Sequence, residues 1–181
     1  MRKSLFVPIV VVMSTAAAAV AVSAVTAQAS AGPTTVTFAV APGLLTITTP
    51  DTANLGTVSI GSAHVSSALG NVTVDDERGT DGGSWTASVI STDFTTGASP
   101  TAAETIGAAN VSYAPGTATS TAGVGTFTPG AGGVLATSKT AFTATGTTGV
   151  TTIGWDPTIT VTLPAAVVSG TYTGTITHSV A

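Results

Sequence analysis

The stretch Val72-Thr73-Val74-Asp75-Asp76-Glu77-Arg78-Gly79-Thr80-Asp81-Gly82-Gly83-Ser84-Trp85-Thr86-Ala87-Ser88-Val89 decides how the chain is read. Near each end, apolar residues alternate with small or polar ones: Val72 and Val74 in the first run, then Trp85, Ala87 and Val89 in the second. A period of two sends alternate side chains to opposite faces of an extended backbone, so each run reads as a half-buried strand. Between them stands the densest charge in the sequence, closed by Asp81-Gly82-Gly83, whose residue types suit the backbone angles of a turn. The spacing predicts two strands joined by a charged hairpin turn.

The same alternation recurs on both sides. It is found at Val36/Phe38/Val40, Leu45/Ile47 and Val58/Ile60 upstream, and at Val111/Tyr113, Phe142/Ala144 and Ile159/Val161/Leu163 downstream. A last run, Tyr172/Gly174/Ile176/His178/Val180, reaches the end of the sequence. Ala41-Pro42-Gly43, Ala114-Pro115-Gly116 and Pro129-Gly130 punctuate these runs, and no helical spacing follows Ala31. The pattern predicts an all-β fold, an antiparallel two-sheet β-sandwich, as one domain over residues 30–181. Residues 97–133, rich in Ala, Thr, Gly and Pro, predict short strands separated by long loops. In Ser169-Gly170-Thr171-Tyr172, the tyrosine is expected to pack at a corner of the sandwich, its hydroxyl capping backbone groups.

The first residues carry a different signal. Met1-Arg2-Lys3 is basic, residues 5–25 are apolar, and Ala27-Gln28-Ala29 places small side chains at alternate positions. That order is the order of a secretory signal peptide, with cleavage expected after Ala29. Pro8 interrupts the apolar run and alanine weakens its second half, which favours removal over a membrane anchor. No later stretch is apolar enough to span a bilayer, so the mature chain is expected to have no membrane span.

Beyond the leader, Arg78 and Lys139 face eight acidic residues, a net charge of −6. Two cations cannot neutralise a row of phosphates, so nucleic acid is not an expected partner. No cysteine is present, which excludes disulfides and thiolate metal sites. Only 7% of residues are charged. Threonine and serine supply the polar surface, and Thr, being β-branched, suits an exposed strand face.

Asp75, Asp76, Glu77 and Asp81 crowd hard oxygen ligands into one segment of the kind that can hold Ca²⁺. Their spacing matches no EF-hand loop, and Arg78 among them can pair with Asp76 or Asp81, so an Arg–carboxylate brace is expected instead of a metal. Trp85 and Trp155 could each stack on a sugar ring, yet Trp85 shares parity with Ala87 and Val89, and Trp155 with Ile153, which places both on inward faces. His178 lies on the parity of Tyr172, Ile176 and Val180, and its only fellow, His64, is distant in sequence, which makes a poor zinc pair. No Gly-x-Ser-x-Gly elbow and no phosphate loop is present, so neither an enzyme nor a cofactor is expected.

Two segments together resemble the WxL domain family of surface proteins from Gram-positive bacteria. The first runs from Val72 through Asp76-Glu77-Arg78-Gly79 and Gly83-Ser84-Trp85 to Asp93-Phe94; the second is Gly170-Thr171-Tyr172-Thr173-Gly174-Thr175-Ile176-Thr177. Both Trp-x-Leu signatures are altered here, to Trp85-Thr86-Ala87 and His178-Ser179-Val180, so that His178 stands where the family carries its second Trp. The resemblance implies a secreted protein at the cell surface, associated non-covalently with cell-wall peptidoglycan and able to meet other surface proteins. Trp85, Trp155 and His178 are its candidate glycan-binding residues. The alternative expectation is a structural subunit of a self-assembling coat or fibre, since charge-poor strands with open edges can add to one another.

Overall fold

A computed structural model describes residues 31–181; the leader reading and its cleavage site lie outside them. Residues 31–39 are exposed and without regular secondary structure, and Val40–Ala181 forms its own compact unit. The unit is all-β. Its strands are β1 (Leu45–Thr48), β2 (His64–Ala68), β3 (Val72–Ser91), β4 (Phe94–Thr95), β5 (Thr105–Ile106), β6 (Val111–Ala114), β7 (Ala118–Pro129), β8 (Gly133–Val134), β9 (Lys139–Trp155), β10 (Thr158–Thr162) and β11 (Ile176–Val180). Two single turns of 3-10 helix, Ala102–Glu104 and Ala108–Asn110, flank β5. Among the described residues no helix is long and apolar enough to cross a membrane.

One sheet has the order β1-β3-β9-β7, with β11 also on β3; the other has the order β2-β10-β6-β8; all pairings are antiparallel. A small two-stranded sheet, β4-β5, lies apart from both. Between the two larger sheets sits a single core built on Val72, Val74, Trp85, Phe142, Ile153 and Trp155 from the first sheet and Val111, Tyr113, Ile159 and Val161 from the second. The expected antiparallel sandwich is the fold.

The deciding stretch folds differently from its expected hairpin. Residues 72–91 form one strand of 20 residues, and its partner is β9, far along the chain. The register against β9 shifts between Asp76 and Thr80, between Asp81 and Gly83, and again at Ser84 and Ser88. Extra residues in a bulge change which parity faces inward. Accordingly Val72, Val74 and Asp76 are buried in the first half, and Trp85, Ala87, Val89 and Ser91 in the second. Gly79 and Gly82 adopt φ of 65° and 71°, as a turn would require, but here they absorb the bulges within a continuing strand. The same residue types serve both purposes, so the local sequence reads as a turn.

Three further expectations differ. Residues 97–133 contain β7, twelve residues long, rather than short strands alone. Its side chains are exposed on both faces except Phe127, so burial imposes no alternation on its sequence. Val58/Ile60 and Val36/Phe38/Val40 form no strand. The final run is a strand only over β11, and upstream of it Thr173 makes an isolated bridge to Thr95. Tyr172 takes the corner role: its hydroxyl lies 3.0 Å from the Val168 carbonyl and 3.2 Å from that of Ala103, one proton serving two acceptors.

Candidate functional site

The charged cluster is a brace. Asp76, 1% exposed, points inward from β3 and accepts from Arg78 Nε at 2.8 Å on one oxygen and from a terminal guanidinium nitrogen at 2.9 Å on the other. That nitrogen also donates to the Ser84 carbonyl at 2.9 Å, so the guanidinium bridges the bulged part of the strand. The fork-on-fork geometry is the strong form of an ion pair. Hydrogen bonding from Arg78 holds the Asp76 carboxyl below its usual range, against the opposing effect of burial. Asp75, on the opposite face, accepts from Thr152 Oγ1 at 2.8 Å, and Asp81 accepts from Thr148 Oγ1 at 3.3 Å. Among the described residues no three acidic or histidine side chains come together as a metal cage. Among the described residues, the buried hydroxyls of Thr80, Thr147 and Thr151 have no protein partner.

Two of the three candidate glycan residues, Trp85 and Trp155, fall in the interior, and the third, His178, is half-buried. Trp155 is fully buried and Trp85 is 3% exposed, so neither ring offers a face for a sugar to stack on. Trp155 Nε1 donates to the Tyr113 hydroxyl at 2.8 Å, and His178 Nε2 lies 3.1 Å from the same hydroxyl, the imidazole edge-on to the phenol ring. Thus Trp155 and His178, far apart in sequence, do meet, with Tyr113 between them; Trp85 instead packs near Phe127. Burial lowers His178 to about 4 and pushes Tyr113 up to about 12, the latter partly opposed by the bond from Trp155. The trio joins β9 and β11 to β6, and therefore one sheet to the other, through polar atoms inside the core. Residue-by-residue reading of the sequence missed Tyr113 as the hub, because nothing local marks which tyrosine will meet which indole.

Sequence reading also missed the most regular polar feature, on the outer face of the large sheet. Register places Ser179, Ser88 and Thr140 in one row across β11, β3 and β9. Thr86, Thr143 and Thr128 form a second row across β3, β9 and β7, and Ser84, Thr145 and Thr126 a third. All of these hydroxyl residues are exposed or half-buried, because their chain neighbours Trp85, Ala87, Val89, Phe142 and Ala144 take the inner face. Rows repeat along a strand at roughly 6.6 Å, twice the rise per residue, and neighbours within a row stand about 4.8 Å apart. The grid bears no charge. The signal was present as Thr and Ser between the inward residues of β3 and β9, but its rows depend on a register that the bulges set.

A cleft of about 740 Å³ opens elsewhere, between residues 53–60 and 167–174. Val65, Phe94, Ile106, Val161 and Leu163 supply apolar lining, and among the described residues no charged one borders it. Comparison with protein-family models, with curated proteins and with solved structures returns no match.

Proposed function

We propose that the protein is an exported, non-catalytic surface module that associates non-covalently with the peptidoglycan of a Gram-positive cell wall, through the outer face of its large sheet. The hydroxyl grid carries this reading: its rows offer donors and acceptors in a repeated array, matching the hydroxyl and amide groups that repeat along a glycan strand. The leader-like first residues and the resemblance to the WxL family support the destination. We assign the binding face to Thr86, Thr143, Thr145 and their row neighbours, since the indoles are buried and the half-buried His178 ring is engaged by Tyr113.

Co-sedimentation of the full chain with purified peptidoglycan over a salt series, beside a wall-free control, tests the assignment. Pelleting is expected only with the wall and to persist at high salt, because the face holds no ion pairs to screen. Replacing Thr86, Thr143 and Thr145 together by Val preserves strand propensity and removes three hydroxyls, which is expected to weaken binding by about tenfold or more. Unchanged pelleting by the triple variant, or pelleting without the wall, would overturn the proposal.

A further inference from the structure

The protons around Tyr113 fix the state of His178. An indole N–H can only donate, so the Tyr113 oxygen accepts from Trp155 at 2.8 Å. The phenol's own proton then needs an acceptor, and among the described residues His178 Nε2, 3.1 Å away, is the partner that remains. Accepting there leaves Nε2 bare and places the proton of the neutral ring on Nδ1. The other tautomer would donate from Nε2 into an oxygen that already accepts, and would leave the phenol proton without an acceptor on a residue only 2% exposed. The bonds therefore run in one direction, from Trp155 through Tyr113 to His178, and end on a buried Nδ1 with no protein partner.

A second proton on His178 breaks that order. Both ring nitrogens become donors, the Tyr113 hydroxyl loses its acceptor, and a positive charge stands among apolar groups. On the buried side β3 presents Ala87, Val89 and Ser91, β6 presents Val111 and Tyr113, and β9 presents Phe142, Ala144 and Trp155. The charged group in the same row is itself a cation, Lys139, which pairs with Val89 on the side away from His178. β11 adds no charge of its own. With no carboxylate to hold the imidazolium, burial lowers the His178 pKa to about 4.

β11 is the element that can yield. Among the described residues it pairs with β3 alone, and none of its side chains is fully buried. Just upstream the chain is held independently: the Thr175 carbonyl accepts from the Thr92 N–H at 2.9 Å, and the Thr175 N–H donates to Thr92 Oγ1 at 2.9 Å. Departure from Ile176 onward would solvate the imidazolium and give the phenol proton to water. It would leave the bond between Trp155 and Tyr113, and the pairing of β3 with β9, in place.

We infer that His178 is a proton-operated latch: as the Nδ1–H tautomer it accepts from Tyr113 and holds β11 on the sandwich, and on gaining a second proton it releases residues 176–180 while the other strands persist. The latch is independent of what the outer face binds. A folded pKa of about 4 against 6.5 in the released strand raises the open population by up to about 300-fold as the pH falls across that window, and by less to the extent that the half-buried ring already reaches water.

NMR of the full chain labelled with nitrogen-15 tests both states. At pH 7, long-range proton–nitrogen correlations of the His178 ring are expected to show a protonated Nδ1 and a bare Nε2; a protonated Nε2 would overturn the inference. From pH 7 to pH 4, the amide signals of residues 176–180 are expected to shift or broaden along the His178 titration while those of β9 and β10 remain those of the folded sandwich. His178→Phe, which takes up no proton, is expected to keep residues 176–180 in place at pH 4. Three further results would overturn the inference: titration of His178 with residues 176–180 unmoved, loss of all strands together at one pH, or the same acid response of residues 176–180 in His178→Phe. The tautomer and the titration are read on the unmodified chain, so neither depends on the variant folding.

Discussion

Trp155 on β9 and Tyr113 on β6 share a 2.8 Å hydrogen bond that crosses the sandwich interior, indole N–H to phenol oxygen, with both residues within 2% of complete burial. Removing the oxygen leaves the indole donor without a partner where no solvent can replace it. Tyr113→Phe is therefore expected to destabilise the domain by about 1–3 kcal/mol, measured as a lowered denaturant midpoint at unchanged m-value. A midpoint equal to that of the parent would show that the bond contributes nothing net.

His178 makes the stability depend on pH. Burial lowers its pKa from 6.5 to about 4, so between those values the unfolded chain binds a proton that the folded chain does not. Stability is full above 6.5 and falls as the pH drops toward 4. The loss over the whole window is at most about 3 kcal/mol, and less to the extent that the half-buried ring reaches water. Thermal melts from pH 7 to pH 4 should show the fall, and His178→Phe should flatten it.

Asp76 governs a more acid window. Its carboxyl is held below 3.8 by Arg78, so the pair stabilises the fold above that value and is lost as the pH falls through the lower, folded pKa. Asp76→Asn removes the charge while keeping the shape, and leaves the guanidinium without its counter-ion. A loss of about 2 kcal/mol at pH 7 is expected, since removing one partner of a buried pair is costly and Arg78 remains partly solvated. Urea titrations from pH 7 downward would check it, with the gap between variant and parent narrowing as the pH falls below 3.8.

Thr147 and Thr151 predict the opposite sign. Each is buried with a hydroxyl that has no protein partner. Exchanging the hydroxyl for a methyl in Thr147→Val or Thr151→Val removes a desolvated polar group at nearly constant volume, so each variant should gain about 1 kcal/mol. A drop in melting temperature instead would mean that those hydroxyls find a bonding partner in solution.

What the sequence makes legible is whatever burial imposes locally. Leu45/Ile47, Val111/Tyr113 and Ile159/Val161 alternate because one face of each strand meets the core, and all three are strands. Trp85 and Trp155 sort inward by the same parity. The brace between Arg78 and Asp76 is also legible, since it joins residues two apart. The failures have a common cause in long-range pairing. Glycines at 79 and 82 read as a turn until β9 is seen to run alongside, and β7 has no alternation because neither of its faces is covered apart from Phe127. Val36, Phe38 and Val40 show the reverse case, a strand pattern with no surface in the described fold to impose it. The hydroxyl rows and the hub at Tyr113 depend on register and on the meeting of two sheets, neither of which is written in any one segment.

The edge of β3 opposite β9 is filled by two strands far apart in sequence, β1 and β11. β11 runs along it until Ala181 pairs with Thr86, and β1 begins further on, where Gly43 pairs with Glu77, travelling in the same direction. The two strands are therefore pieces of one line, with Ala181 pointing toward Gly43. A short linker joining Ala181 to Gly43 would close residues 43–181 into a ring without reversing any strand, and new ends could then be opened at the exposed residues 97–100. The architecture thus tolerates circular permutation: the order in which its strands are synthesised is one choice among several that would spell the same sandwich.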